Sequence, residues 1–284
     1  MSIISNYLLS RSKNPKGEMS FIDHVEALRW HVIRSVIVVF VMAIFVFIKV
    51  EWIFDHIILG PAHNDFIAYK WFCWLAQVLH IDALCLGEIK IKFQNTELAG
   101  QFVMALSVSL FLGFILSFPY ILWELWKFIK PALKPTEIKY ARGLVFWCSI
   151  LFFVGVLFAY YIIAPYTINF FGAYQLSPAF QNIITMDNYY DTMNDLILGM
   201  GIVFELPIIV YFLSRVGILT PKILREKRRY AILILFILAE VITPPDWFSC
   251  FLVFIPLYIL YELSVVVSNR AMKERKKRLA KENS

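Results

Sequence analysis

The sequence predicts an all-α membrane protein with six transmembrane helices. The first observation is composition: 60% of the 284 residues are hydrophobic and 17% are charged, and the mean hydropathy is +0.68. Such values are typical of membrane proteins rather than of soluble globular domains. The second observation is a set of six apolar segments, near residues 32–48, 102–126, 144–164, 193–213, 231–242 and 248–267.

The third observation is the distribution of lysine and arginine among the connections. Neither residue type occurs from Pro165 to Thr192, nor from Thr243 to Trp247. The alternate connections, residues 127–142 and 215–229, are strongly basic, and so is the tail after residue 269. Because short cytoplasmic loops are enriched in lysine and arginine, this alternation predicts that both termini lie in the cytoplasm.

These features divide the chain into three parts. Residues 1–18 are predicted to be a variable cytoplasmic extension, residues 19–268 the six-span membrane domain, and residues 269–284 a basic cytoplasmic tail. Residues 50–101 form the long extracytoplasmic connection, in which the alternating pattern at residues 89–93 favours a short strand. No small-residue cleavage site follows the first apolar segment, so we expect it to be retained as a span.

The fifth and sixth segments are expected to be short spans. Segment five offers only residues 231–242 before Thr243-Pro244-Pro245-Asp246, and proline lacks a backbone donor and disfavours helix at the preceding residue. Two short spans that meet at a turn are favoured over one re-entrant hairpin, because both flanking loops are basic. Prolines in or near the other spans can kink helices, which favours a curved bundle with a concave side.

The formal net charge of +6 has a simple interpretation in this topology. The basic residues lie beside the membrane, where they favour contact with anionic lipid headgroups, so nucleic acid is not expected as a partner. No phosphate-binding glycine loop, nucleophile motif or Cys-x-x-Cys pair occurs. All five histidines lie in the first 80 residues and away from the middle of any span. Neither an enzyme nor a metal or cofactor site is therefore expected.

Carboxylates in apolar segments are costly to insert and so mark candidate functional positions. Glu205 lies near the middle of the fourth segment and Glu240 at the end of the fifth. We expect Glu205 to be a polar docking point towards the concave side or a partner helix, with a buried hydrogen bond to a neighbouring span as the alternative. Glu124 and Glu262 lie nearer the cytoplasmic ends, where exposure to water is expected.

The four cysteines fall into two pairs. Cys148 and Cys250 lie in or beside spans and are expected to be buried apolar thiols. Cys73 and Cys85 lie in the extracytoplasmic connection, where a disulfide is possible in an oxidising compartment. Two unpaired loop cysteines are the simpler alternative.

Several short motifs follow one another along the chain. They are His24 with Leu28-Arg29, Ser117-Phe118-Pro119, residues 126–133 (Trp-Lys-Phe-Ile-Lys-Pro-Ala-Leu), Phe158-Ala159-Tyr160 with Pro165, Phe204-Glu205-Leu206-Pro207 and Thr243-Pro244-Pro245-Asp246. With the six-span topology, this ordered set resembles TatC, the core membrane subunit of the twin-arginine protein translocase. The resemblance runs from about Met19 to Ser268.

The resemblance implies a receptor in the cytoplasmic (inner) membrane that binds twin-arginine signal peptides and exports folded proteins. The implied partners are single-span subunits of the TatA and TatB types, further copies of the receptor in a complex, and membrane lipids. No cofactor is implied.

The resemblance also implies two sets of site residues. The signal-peptide site comprises Glu137, Leu28, Arg29 and Phe128, with Glu26 as the candidate replacement for the N-terminal glutamate of the family. The contacts with partner subunits comprise Glu205, Glu240, Thr243 and Asp246. At the family position of the N-terminal glutamate this chain has Ala27, beside Glu26.

A small secondary transporter is the rival from another functional class, with Glu205 and Glu240 as ion or proton sites. No internal repeat relates the two halves of the sequence, which favours the translocase. A purely structural membrane scaffold would explain the topology but not the cytoplasmic carboxylates.

Overall fold

The fold was analysed in a computed structural model, which describes residues 21–80, 85, 92–132, 143–177, 182–244 and 247–282. The described α-helices are α1 (Phe21–Ile48), α2 (Val50–Ile53), α3 (Ile67–Leu79), α4 (Gly100–Ile129), α5 (Leu144–Phe158), α6 (Ala164–Ala173), α7 (Met186–Val203), α8 (Leu206–Val216), α9 (Pro221–Glu226), α10 (Arg228–Ile242) and α11 (Trp247–Glu282). The described strands are β1 (Lys92–Gln94) and β2 (Ile183–Thr185). Short π- or 3₁₀-helical turns occupy Phe54–Ile58, Gly60–Ala62, Lys130–Ala132 and Ala159–Ile163.

Among the described residues, five helical stretches are long and apolar enough to cross a membrane. They are His24–Ile48, Gly100–Ile129, Leu144–Ala173, Met186–Val216 and Ser249–Lys276. The chain is thus a multi-pass membrane protein by length and composition.

The fifth and sixth predicted segments differ from each other. Helix α10 has 15 residues and rises about 22 Å, less than the roughly 30 Å of a hydrocarbon core, so it is short as expected. Helix α11 is not short: it has 36 residues in all and continues into the predicted tail as far as Glu282. The sequence after Asn269 is rich in Ala, Lys, Glu and Arg, all strong helix formers, and contains no proline or glycine that would end the helix.

Two of the four prolines in or near the spans coincide with interruptions of long helices, whereas Pro119 and Pro256 lie inside the continuous helices α4 and α11. Helix α7 ends at Val203 and α8 begins at Leu206, with Pro207 in its first turn. Helix α5 continues through a π-helical turn into α6, which has Pro165 in its first turn. Prolines and π-helical turns are common causes of helix bending, because each disrupts the regular backbone hydrogen bonds.

Glycines allow the spans to approach closely. A Cβ atom at Gly113 of α4 would lie 2.7 Å from the backbone nitrogen of Ala43 in α1. A Cβ atom at Gly155 of α5 would lie 2.7 Å from the carbonyl oxygen of Met200 in α7. In lipid, where apolar burial gives little drive for association, such small-residue contacts let helices pack backbone to backbone.

One end of the bundle joins the two connections that the sequence predicts to be extracytoplasmic. Strands β1 and β2 pair in parallel, with Phe93 opposite Ile184. The Tyr189 hydroxyl at the start of α7 donates to the carbonyl of Ile58 at 2.7 Å. Of the predicted strand at residues 89–93, the last two belong to β1 and residues 89–91 lie outside the described residues. We call this end of the molecule the sheet end.

The opposite end joins the basic segment between α8 and α10 to the last helix. Arg215 pairs with Glu274, and Arg228 pairs with Glu262 at 2.9 Å. The middle of α11 therefore lies beside α9 and the start of α10, and its C-terminal part lies beside the end of α8.

Candidate functional site

A groove of about 930 Å³ lies between α1, α4 and α7. Its apolar wall includes Val36, Phe40, Leu110, Phe111, Phe114 and Leu198. Residues three or four apart share one face of a helix, which explains why Leu28, Val32, Val36 and Val39 of α1 all line the same groove. Three spans thus present apolar side chains to one open space, which corresponds to the concave side expected from the sequence.

A buried carboxylate, Glu124, lies at the end of the groove near the start of α1. The Glu124 side chain is only 1% exposed, and its Oε2 lies 2.5 Å from His31 Nδ1. Its Oε1 accepts a hydrogen bond from Lys127 Nζ at 2.8 Å. The prediction that Glu124 is exposed to water is therefore wrong, because α1 packs along α4 and covers it. We call Glu124, His31 and Lys127 the polar end of the groove.

The two side chains that pair with Glu124 are less buried than the carboxylate itself. The side chains of His31 and Lys127 are 20% and 37% exposed. The Lys127 ammonium also lies 3.5 Å from the ring centre of Trp123, a favourable cation–π distance. The buried negative charge is thus neutralised from the side that faces solvent.

Helix α7 adds polar groups to the groove near Phe111, whose ring contacts that of Tyr190, away from Glu124. Asp191 and Asn194 both line it. Asn194 Oδ1 is buried and has no hydrogen-bond partner among the described residues. A buried acceptor without a partner carries a free-energy penalty, so this atom is available to a donor that enters the groove.

Glu205 lies at the junction of α7 and α8, away from the groove. It is buried, at 8% exposure, and lies beside the thiol of Cys148 in α5. Its Oε1 has no hydrogen-bond partner among the described residues. Glu240 is by contrast exposed on α10, so the two intramembrane carboxylates have different surroundings.

The remaining predicted site residues fall into three groups. Leu28 and Phe128 line the groove, and the Phe128 ring stacks on His24 at 4.2 Å between ring centres. Glu26 and Arg29 are exposed on α1. Glu137 and Asp246 lie outside the described residues.

Thr243 and the cysteines have structural contacts. The Thr243 hydroxyl donates to the carbonyl of Ala239 at 2.9 Å and so completes the end of α10. Cys73 and Cys85 form a disulfide. Cys148 and Cys250 are buried thiols, as the sequence predicts.

Comparison with known proteins identifies the family. The sequence profile described as "Sec-independent protein translocase protein (TatC)" matches residues 23–256. The chain belongs to the TatC family. It is therefore a protein translocase component and not an enzyme, as the sequence predicts.

The relatives of this TatC-family chain extend over nearly all of it. It is 41% identical over 265 residues to the TatC protein of Blattabacterium sp. subsp. Periplaneta americana (strain BPLAN), covering 93% of this chain and 100% of the relative. It is 32% identical over 260 residues to TatCd of Bacillus subtilis (strain 168), covering 92% and 96%. A crystal structure of the twin arginine translocase receptor TatC superposes with a TM-score of 0.67 at 28% identity, covering 87% of this chain and 99% of that one.

The polar end is the part of the site that sequence reasoning missed. Glu124 and His31 are separated by 93 residues, so no local pattern joins them. The available signal was the three-residue spacing of Glu124 and Lys127, which places both on one face of a helix. That spacing shows a pair on α4, but not that α1 would cover it.

Proposed function

We propose that this TatC-family chain is the receptor that binds twin-arginine signal peptides during the export of folded proteins. The observation that carries the proposal is the groove between α1, α4 and α7, which combines an apolar wall with a buried carboxylate at one end. A signal peptide has the complementary order, with a positively charged region followed by an apolar one.

The length of the groove suits the apolar region of such a peptide. Leu28 and Phe40 both line the groove, and this stretch of α1 rises about 18 Å. A helical peptide of about 12 residues would have the same length, within the range of roughly 7–15 residues usual for the apolar region of a signal peptide.

The polar end offers an acceptor for a guanidinium group. Arginine presents a planar fork of donors that matches a carboxylate with two hydrogen bonds, whereas lysine offers a single ammonium. We propose that Glu124 accepts one arginine of the pair in exchange for Lys127. Glu137, which the family resemblance implies, is a proposed further acceptor. Glu26 is proposed as a second one, because it lies beside Ala27, the family position of the N-terminal glutamate. Arg29 is a proposed neighbour of the bound peptide.

The proposed topology has six spans, with both termini in the cytoplasm and the sheet end on the extracytoplasmic side of the inner membrane. The short helix α10 begins beside Arg228, which pairs with Glu262. Just past its other end, Pro244 lines a cavity of about 580 Å³ with Tyr174 and Ile183 at the sheet end. These contacts support a crossing from one end to the other rather than a re-entrant hairpin.

The proposed partners are single-span subunits of the TatA and TatB types, together with further copies of the receptor. Glu205 is the strongest candidate contact, because its buried Oε1 has no partner among the described residues. A polar side chain of a partner helix would satisfy it, since buried polar groups in lipid need hydrogen bonds. Glu240, Thr243 and Asp246 remain proposed contacts on and after α10.

Photocrosslinking from inside the groove tests the receptor function. A photoreactive residue at Val36, which lines the groove, should crosslink to a twin-arginine signal peptide and much less to its twin-lysine version. The matched control is Phe45, on the same helix, 65% exposed and outside the groove. Equal crosslinking of both peptides, or equal crosslinking from both positions, would contradict the proposal.

A further inference from the structure

Helix α3, in the connection between the first two spans, carries an outward apolar stripe. Its exposed large apolar side chains are Ile67, Trp71, Trp74, Leu75 and Val78, which are 48%, 59%, 64%, 37% and 56% exposed. At about 100° per residue, these five positions fall within a sector of roughly 100°, the usual width of the apolar face of an amphipathic helix. A stripe of this kind, with two tryptophans, requires an apolar environment to cover it.

The opposite face of α3 packs against the protein, so the stripe is not available to the core of the same molecule. Ala68 and Ala76 are 0% and 3% exposed. The Tyr69 hydroxyl donates to the carbonyl of Pro61, with the carbonyl of Pro165 also 3.4 Å away. Burial raises the pKa of Tyr69 well above its ordinary value, so the hydroxyl stays a donor. Helix α3 is therefore held in one orientation.

The contact with Pro165 relates the depth of α3 to the span that begins at Leu144, which we take as the point where α5 enters the hydrocarbon core. Pro165 follows Leu144, the start of α5, by about 21 residues, which corresponds to a rise of about 31 Å. This equals the roughly 30 Å thickness of the hydrocarbon core. Helix α3 is therefore attached at the boundary between hydrocarbon and headgroups at the sheet end, and not far out in the aqueous phase.

The chemistry along the stripe suits that boundary. Tryptophan is enriched at membrane interfaces because its ring is apolar and its N–H is polar. Lys70, exposed at the edge of the stripe next to Trp74 on the helical wheel, can extend its ammonium towards a lipid phosphate. Cys73 lies on the side of α3 away from Val78, so its disulfide attaches Cys85 to that side of the helix.

We infer that α3 is an interfacial helix whose Trp71–Trp74 stripe binds the phospholipid surface on the sheet-end side of the membrane. The partner is the lipid itself, at the level of the glycerol and upper acyl chains, with Lys70 beside the phosphates. This anchor ties the sheet-end connection to the membrane surface. The inference uses the membrane spans but not the receptor function, so the two can fail separately.

Electron paramagnetic resonance with nitroxide labels tests this arrangement in the full chain. The labels are placed at Val78→Cys on the stripe and at the adjacent Gln77→Cys as the matched control, in nanodiscs of phosphatidylethanolamine and phosphatidylglycerol. Reaction is confined to the introduced thiol, because Cys148 and Cys250 are buried and the other two cysteines are bonded. Collision rates are measured with oxygen, which partitions into lipid, and with a water-soluble nickel complex.

We expect the oxygen-to-nickel ratio to exceed one at position 78 and to fall below one at position 77. A ratio below one at both positions would show that the stripe faces water. Protection of position 78 from both reagents would show that protein, such as a second copy, covers it. Either result would overturn the inference. A second pair of labels, at Trp71→Cys on the stripe and Lys70→Cys beside it, should again give an oxygen-to-nickel ratio above one on the stripe and below one beside it. This pair shows that the result does not arise from a local disturbance at position 78.

Discussion

Replacing Glu124 by glutamine should weaken the binding of a twin-arginine peptide while leaving a twin-lysine peptide nearly unaffected. The amide keeps the size of the side chain but loses the charge and cannot accept the arginine fork as a carboxylate does. A hydrogen bond to a charged group contributes about 1.5–3 kcal/mol, and about 1.4 kcal/mol corresponds to a tenfold change in affinity. The expected loss is therefore about 10- to 100-fold for the twin-arginine peptide.

The same substitution also removes contacts within the empty receptor, so stability must be measured beside binding. Removing one partner of a buried ion pair costs about 3–5 kcal/mol. The cost here should lie at the lower end for Glu124→Ala, because Lys127 is 37% exposed and keeps its contact with Trp123. Glu124→Gln should cost less, since the amide oxygen still accepts from Lys127.

Titration of a fluorescent signal peptide into the purified protein in nanodiscs supplies the affinities. The matched control is Glu262→Gln, which removes a carboxylate paired with Arg228 at 2.9 Å but does not line the groove. It should leave both affinities unchanged. Equal losses for the twin-arginine and twin-lysine peptides in Glu124→Gln would refute the reasoning, because Glu124 would then only join α1 to α4.

Three further substitutions test other parts of the structure. Gly113→Ala should lower the free energy of unfolding in detergent by about 1–3 kcal/mol, because its Cβ would lie 2.7 Å from the backbone of α1. The control is Gly143→Ala, whose Cβ would have no contact below 3.7 Å and which should leave the free energy of unfolding unchanged. Glu205→Leu should preserve signal-peptide binding and reduce co-purification of single-span partners per folded molecule. Solute or proton flux through the purified protein that depends on Glu205 would instead favour a transporter. Replacing Cys73 and Cys85 together by serine should cost up to about 3 kcal/mol, measured as a lower unfolding temperature without reductant, and unchanged stability would contradict a structural role.

The sequence predicted those features that depend on local composition. Helix α10 ends at Ile242, as predicted from the prolines that follow. The break before Pro207 and the burial of Cys148 follow from the same kind of local reasoning. The end of α11 was missed because a basic segment without helix breakers is compatible both with a longer helix and with an irregular tail. The ion pair of Arg215 with Glu274 in that segment comes from elsewhere in the chain.

The candidate site was predicted less completely because it depends on contacts between spans. Leu28 and Phe128 were identified, and both line the groove. The burial of Glu124 was not predictable from its own segment, since its position near a helix end is equally compatible with exposure. It is buried because α1 packs along α4, with a close contact between Gly113 and Ala43 further along the same pair of helices, and brings His31 to the carboxylate.

In the proposed receptor, the internal partners of Glu124 also set its selectivity. An empty site with an unpaired buried carboxylate would be costly, and Lys127 and His31 remove that cost. An incoming lysine would replace Lys127 by a group of the same kind, with no gain in hydrogen bonding and a loss of the Trp123 contact. An incoming arginine can add a second hydrogen bond through its fork. Lys127 therefore competes with the incoming peptide for Glu124, and only a side chain that binds the carboxylate better displaces it. Discrimination between arginine and lysine then comes from the unfavourable exchange for lysine as well as from the additional hydrogen bond of arginine.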